Sequence, residues 1–258
     1  MNEFHKIIKI GAIILAIFII VLIINGIFMF ANMFINDDND NNIVQVYENI
    51  NDIEIDLNNS NLIIKRGEEF KVEANNVSNS FKVKKNNATL KIEESNFWFF
   101  NNNGGEVIVY VPSNIDELNI DTGAGKITVD DIYASKFELD SGAGVVSVSN
   151  SNFDRTNIDG GTGTIDVLNT TLSNLDLDVG VGEVNINGEI LGNSKIDCGI
   201  GEVNLTLLGG ESLYKLDIDS GIGDIKINDS NFNDTIYGNG SNKVEIDGGI
   251  GSINIYFN

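Results

Sequence analysis

Cysteine is nearly absent from this sequence. Cys198 stands alone among 258 residues, which excludes an internal disulfide framework and any zinc site built from thiolates. Histidine is as scarce: His5 lies in the N-terminal tail, so the body of the chain has no imidazole to serve as general base or metal ligand. Basic residues are few. With 16 Lys+Arg against 38 Asp+Glu, the net charge of −22 argues against nucleic acid as a partner, because phosphates need a cationic surface. An apolar fraction of 42% is nonetheless too high for a disordered chain, so a packed core is expected.

What is present begins with one long apolar run. Residues 10–30 read IGAIILAIFIIVLIINGIFMF, with Asn25 the only strongly polar side chain. At about 1.5 Å per residue a helix of that length spans about 30 Å, the thickness of a bilayer's hydrocarbon core. A cleaved secretory signal is the competing reading, but its apolar region is usually about 7–15 residues and ends in a small-residue cleavage site. Here FANMFINDDND follows, without such a site, so a retained transmembrane helix is expected. No lipidation motif offers another route to the membrane. Lys6 and Lys9 precede the run, whereas Asp37, Asp38 and Asp40 follow it. Basic residues stay cytoplasmic, which places the N-terminus inside and the chain from about Asn36 onward outside the cell membrane. A lone cysteine suits that exterior.

The dominant feature is an internal repeat. The pattern D-x-G-x-G-x-[IV]-x-[VIL] occurs seven times, starting at Asp121, Asp140, Asp159, Asp178, Asp197, Asp219 and Asp247. The first five aspartates are 19 residues apart, and the last two intervals are 22 and 28 because of insertions near 209–214 and 228–242. Apolar residues recur six and eight positions after each Asp, as in Ile127/Val129 and Val203/Leu205. Others fall thirteen positions on (Ala134, Phe153, Leu172, Leu191) or just before the next Asp. Alternation with β-branched content indicates half-buried strands. Two folds compete: an antiparallel meander of hairpins, or a β-solenoid in which each unit is one coil paired in parallel with the next. A gapless period favours the solenoid, since each coil must match its neighbour's perimeter. The fold class expected is all-β, a single-stranded β-solenoid of about 19-residue coils behind one transmembrane α-helix.

The stretch before the repeats is less regular. In IEIDLNNSNLIIK, Asp56 is followed by Leu62 and Ile64 at the repeat spacing, with Asn58 and Ser60 at the glycine positions. It reads as a degenerate first unit, Asn58 tolerating a left-handed conformation there. FKVEA, FKVKK, TLKIEE and EVIVYVP are further strands, expected to cap the leading end. The organisation is then a cytoplasmic tail (1–9), an anchor (10–35), an acidic linker (36–43), an irregular β cap (44–112) and the repeats (113–258).

VIVYVPSNIDELNIDTGAGKITV, together with the repeat, resembles the bacterial putative-adhesin family of β-strand-repeat proteins that carry a domain of unknown function. The likeness covers about residues 43–258. It implies an N-terminal membrane span, a surface-exposed β-solenoid and, in some members, a link with cell-envelope stress. It implies no catalytic residues.

The seven repeat aspartates admit two roles. One is a turn residue beside glycines of unusual φ; the other is a Ca²⁺ ladder, since carboxylates stacked about 4.8 Å apart repel by about 1 kcal/mol per neighbour in water. The glycines expected to shape the corner as turn residues are Gly123/Gly125, Gly142/Gly144, Gly161/Gly163, Gly180/Gly182, Gly199/Gly201, Gly221/Gly223 and Gly249/Gly251. They do not form a phosphate loop, because a strand and not a helix follows them. Cys198 reads as a small residue filling a corner. The aromatic run at residues 97–100 is either part of the cap or an exposed contact surface. Only Arg66 and Arg155 supply guanidinium groups, on unrelated segments, and no catalytic constellation emerges. The expected protein is a non-enzymatic, single-pass, extracytoplasmic binding or structural protein without a cofactor. Its partner is a surface polymer or envelope protein. An accessory role in envelope-stress signalling is the alternative, and a polysaccharide-active enzyme the outside one.

Overall fold

The computed structural model describes residues 42–94 and 104–258, and these form strands almost throughout. Before the repeats come β1 (Ile43–Tyr47), β2 (Asp52–Leu57), β3 (Asn61–Arg66), β4 (Phe70–Asn75), β5 (Lys82–Asn86), β6 (Thr89–Glu93) and β7 (Glu106–Val111). The repeats supply β8 (Ile115–Asp130), β9 (Tyr133–Ser149), β10 (Asn152–Phe153), β11 (Thr156–Ser173), β12 (Leu175–Leu191) and β13 (Asn193–Leu207). A 3-10 turn at Glu211–Leu213 leads to β14 (Tyr214–Asp219), β15 (Ile225–Ile227), β16 (Ser230–Asn231), β17 (Ile236–Gly238) and β18 (Asn242–Phe257). The anchor expected at residues 10–30 and the aromatic run at 97–100 lie outside the described residues. Among the described residues no helix is long and apolar enough to cross a membrane.

Successive units pair in parallel and in register. β8 lies on β9, β9 on β11, β11 on β12 and β12 on β13, so that Asp121, Asp140, Asp159, Asp178 and Asp197 form one column. The segments before and after each glycine pair with their counterparts one coil away rather than with each other, as a solenoid requires. Inward positions stack likewise: Ile127, Val146, Ile165, Val184 and Val203 are all at most 3% exposed. Phe137 and Phe153 stack inside the coil with ring centroids 4.5 Å apart. Burying one such side chain contributes about 1.5–3 kcal/mol, and the columns repeat that gain at every coil.

The glycines shape one corner, but not as turns between strands. Gly123/Gly125, Gly142/Gly144, Gly161/Gly163, Gly180/Gly182, Gly199/Gly201 and Gly249/Gly251 lie within continuous strands, so the chain bends inside β8, β9, β11, β12, β13 and β18. Gly221/Gly223 alone falls between two strands, β14 and β15. Nor do both members of each pair take an unusual φ, contrary to expectation. The leading glycines other than Gly221 have no positive φ, whereas Gly125, Gly144, Gly163, Gly201, Gly223 and Gly251 have φ between 140° and 158°. Gly182 is the exception among the second members. Close approach between coils is the physical reason for these positions. A Cβ on Gly144 would lie 1.9 Å from the carbonyl oxygen of Gly125, and one on Gly163 equally close to that of Gly144. On Gly251 it would lie 1.6 Å from the Gly201 oxygen, and on Gly223 1.4 Å from the Gly251 oxygen. No side chain suits such a site.

A second corner uses a different device. Asp131, Asn150 and Asn169, ten residues after their repeat aspartates, adopt φ of 55°, 51° and 51°. Asn and Asp tolerate this left-handed region because their short side chains bond locally. Asn58 has no left-handed φ, contrary to the expectation for the first unit.

Three further departures have physical causes. Asp56 pairs in register with Asp121, but β4–β7 lie between them in sequence, and β6 and β7 cover the far side of β2 and β3. The other end mirrors this. β18 inserts between β13 and β14, so the column runs Asp197, Asp247, Asp219 rather than in sequence order. Antiparallel β16 and β17 then cover β15 and β14, while β4 and β5 cover β7 and β6. Covering each terminal coil replaces its edge with short ones, two residues in β16 and three in β17, or with the lysine-rich β5, which template aggregation poorly. Lastly, Leu191 was expected to face inward, but Ile190 does so at 0% exposed. A bulge lets Gly188 pair with Thr170, which leaves Asn169 without a counterpart and shifts the following strand by one residue.

Candidate functional site

With no histidine or arginine constellation to examine, the outward columns are the candidate. Each strand turns alternate side chains outward, and in-register stacking sets identical positions about 4.8 Å apart. One outward column is acidic throughout. It runs Asp56, Asp121, Asp140, Asp159, Asp178, Asp197, Asp247, Asp219, joining all seven repeat aspartates and the degenerate unit. Partial burial, then the charges of Asp140 and Asp56, pushes the Asp121 carboxyl up. Asp159 rises for the same two reasons, its neighbours being Asp140 and Asp178. Asp247 is raised by burial and by contact with Asp197, and Lys195 partly offsets this. Lys195 donates to Asp197 at 2.7 Å and reaches Asp247 at 3.9 Å.

The turn role expected of these aspartates is visible at Asp219, whose Oδ1 accepts from the Gly221 N–H at 2.9 Å. Beside the column a shallow groove of ≈ 340 Å³ is lined by Asp140, Asp159, Asp178 and the glycine backbone. Among the described residues no group of three or more His, Cys, Asp or Glu converges as a metal ligand set. The reason is geometric: one carboxylate per coil makes a file, whereas Ca²⁺ takes six to eight oxygens around a point.

Two amide ladders run on other faces. Asn185 donates to Asp166, Asn204 to Asn185 and Asn254 to Asn204, each at 2.9 Å. At the second corner Asn150 donates to Asp130 at 2.8 Å and Asn169 to Asn150 at 2.9 Å. Repeated Asn ten residues after Asp140 and Asp159 was the available signal for this corner. Three lysines share one cleft, and Lys195 among them also reaches the acidic column. Lys195, Lys215 and Lys243 line an open cleft of ≈ 490 Å³ together with Asp176, Asp217 and Glu245. Cys198 is 3% exposed, and burial followed by the charge of Asp178 pushes its thiol up, so the nucleophilic thiolate is disfavoured.

This arrangement can hold a ligand by many parallel polar contacts.

No curated protein matches the sequence. The fold is similar to that of a "putative lipid binding protein" from Parabacteroides distasonis, at 15% identity and a TM-score of 0.50, over 85% of this chain and 97% of that one. It is also similar to a "putative adhesin" from Bacteroides fragilis, at 15% identity and TM-score 0.49, over 83% and 96%. A "putative cell adhesion protein" from Clostridium sporogenes has 17% identity and TM-score 0.43, over 85% and 100%. The family described as Toastrack DUF4097 matches residues 113–256, more than half of the sequence, and the chain belongs to that family.

Proposed function

We propose that this chain is a membrane-anchored, extracytoplasmic solenoid that binds a surface polymer or envelope protein and does not act as an enzyme. The observation that carries the reading is the in-register order of polar side chains on the outer faces, above all the Asp166–Asn185–Asn204–Asn254 ladder. Such a face presents identical donors and acceptors at a regular step, which suits a repetitive partner engaged by many weak contacts. The apolar run at residues 10–30, with lysines before and aspartates after, supports display outside the cell. The resemblance to adhesin-like β-strand-repeat proteins points the same way.

Two measurements test this. Protease added to intact cells should digest the repeats and spare the N-terminal tail; full protection would remove the topology. Cells carrying the chain should be retained on immobilised envelope polymer. Asn185→Ala, Asn204→Ala and Asn254→Ala together should abolish that retention. Retention unchanged by the triple variant, with a membrane protein co-purifying in detergent, would favour the signalling role instead.

A further inference from the structure

The third residue after each repeat aspartate points outward between two glycines. In the first three coils it is Ala124, Ala143 or Thr162. In the remaining coils it is Val181, Ile200, Ile250 and Ile222, which pair in register in that order. These four are 46%, 50%, 52% and 71% exposed. Glycines on both sides leave the ridge standing clear, and among the described residues nothing buries it. Four large aliphatics aligned on the surface of a chain of net charge −22 form a contiguous apolar patch, and such patches mark interaction sites.

The flanks define what the ridge can take. On one side runs the acidic column, here Asp178, Asp197, Asp247 and Asp219. On the other side, two residues beyond the ridge, come Glu183, Glu202, Ser252 and Asp224. Among the described residues Lys195 is the only cation paired with either rail. In the first three coils the second rail is instead Lys126, Val145 and Thr164, so aliphatic centre and acidic flanks occur together only at one end.

We propose that this ridge is a docking site for a basic amphipathic helix. Charge complementarity selects the occupant. A second copy of this chain would bring like-charged rails together, whereas an apolar stripe bordered by Lys or Arg meets apolar centre and acidic flanks at once. Spacing selects the helix. Its turns repeat every 5.4 Å, close to the coil step of about 4.8 Å, while same-face residues of an extended chain repeat about every 6.6 Å. Four coils span about 14 Å, which corresponds to about three helical turns. The ridge's second rail touches the amide ladder where Asn254 donates to Glu202 at 2.7 Å, whereas serine at Val181, Ile200 and Ile250 removes none of the ladder's hydrogen bonds, so that variant tells failure of the ridge from failure of the ladder.

The test uses the full-length chain in phosphatidylcholine nanodiscs, with empty discs as blank. The probe is a fluorescent Leu/Lys peptide of about 14 residues patterned for an amphipathic helix, against a shuffled peptide of the same composition. The patterned peptide should bind at least about tenfold more tightly, and raising NaCl from about 50 to about 300 mM should weaken it several-fold. Val181→Ser with Ile200→Ser and Ile250→Ser should reduce binding about tenfold, as should Asp178→Asn with Glu183→Gln; all five side chains point to solvent, and a melting temperature no lower than that of the parent chain checks folding. Asp121→Asn with Asp140→Asn, at the corner lacking the aliphatics, should leave binding unchanged. Equal binding of the shuffled peptide, or full binding by the serine variant, overturns the proposal. So does a dimer in sedimentation that the serine variant abolishes, since the ridge then belongs to a second copy.

Discussion

A methyl group on Gly201 would sit 1.6 Å from the Gly182 carbonyl oxygen, at a φ of 153° that side chains rarely adopt. Gly210 also has positive φ, 92°, but a Cβ there meets nothing within 4 Å. The pair separates crowding from conformational strain. Gly201→Ala should cost at least about 3 kcal/mol in denaturant unfolding, and Gly210→Ala about 1–2 kcal/mol. Equal effects would show that contact between coils is not what demands glycine. The acidic column makes a second residue-scale claim. Asp121, Asp159 and Asp247 hold protons more readily folded than unfolded. Between the ordinary aspartate range and their raised values, the folded state binds more protons, so stability falls as pH rises. Glu73 and Glu93 act oppositely, being held below the ordinary range by hydrogen bonds from Lys71 and Lys84. Their contribution is lost as pH falls through their lowered values. Melting temperature should therefore rise as pH is lowered from neutrality toward the ordinary aspartate range, about pH 4, and decline as pH is lowered further. Asp159→Asn should raise the neutral-pH value and flatten the profile. Adding a chelator should leave it unchanged, because the carboxylates form a file and not a cage.

Elements owe their order to columns. Phe137 of β9, fully buried, stacks on Phe153 of β10 and so ties two successive strands together inside the solenoid. Phe137→Ala should cost about 3–5 kcal/mol, measured by chemical unfolding, whereas Asn204→Ala, which removes two half-exposed amide contacts, should cost about 1–2 kcal/mol. The parallel register was legible because a 19-residue period leaves each Asp, glycine pair and apolar pair facing its equal. The glycine corner was legible as a place and not as a form. Paired glycines suggest a turn between strands, but crowding between coils lets the strand run through Gly163 and Gly251 without a break. The bulge at Asn169 was not legible: moving one residue from the second corner to Gly192 keeps the period at 19 while changing which of Ile190 and Leu191 faces inward. The acidic column could be read and its order could not. The motifs at Asp219 and Asp247 are alike, so either could lie on Asp197. Connection length decides, since 28 residues between those two aspartates leave room for β16 and β17 outside the stack. The aliphatic ridge could have been found from the third residue after each Asp, which changes from Ala and Thr to Val and Ile along the chain.

Across the whole described assembly of coils, both ends are closed the same way, with a coil from the repeat pattern held inside strands that are not part of it. Aromatic packing seals the later end: Tyr237 stacks on Phe257 at 5.7 Å, and Tyr214 donates to the Leu208 carbonyl at 2.7 Å. Removing residues 242–258 should therefore unseat β14–β17 as a unit. Hydrogen exchange should show amides of residues 214–238 losing protection while those of 115–190 keep theirs. Loss of protection throughout would mean that the coils do not behave as nearest-neighbour units.

The position of β18 has a consequence for assembly. On the ribosome, β14 and β15 are synthesised before the strand that will separate them from β13, and only β16 and β17 can accompany them. The growing stack therefore cannot simply add coils in the order of synthesis. It either holds a vacant slot or pairs β14 wrongly on β13 and later releases it. A slow final refolding phase, absent when β14–β17 are deleted together with their connections, would be the kinetic signature of that exchange.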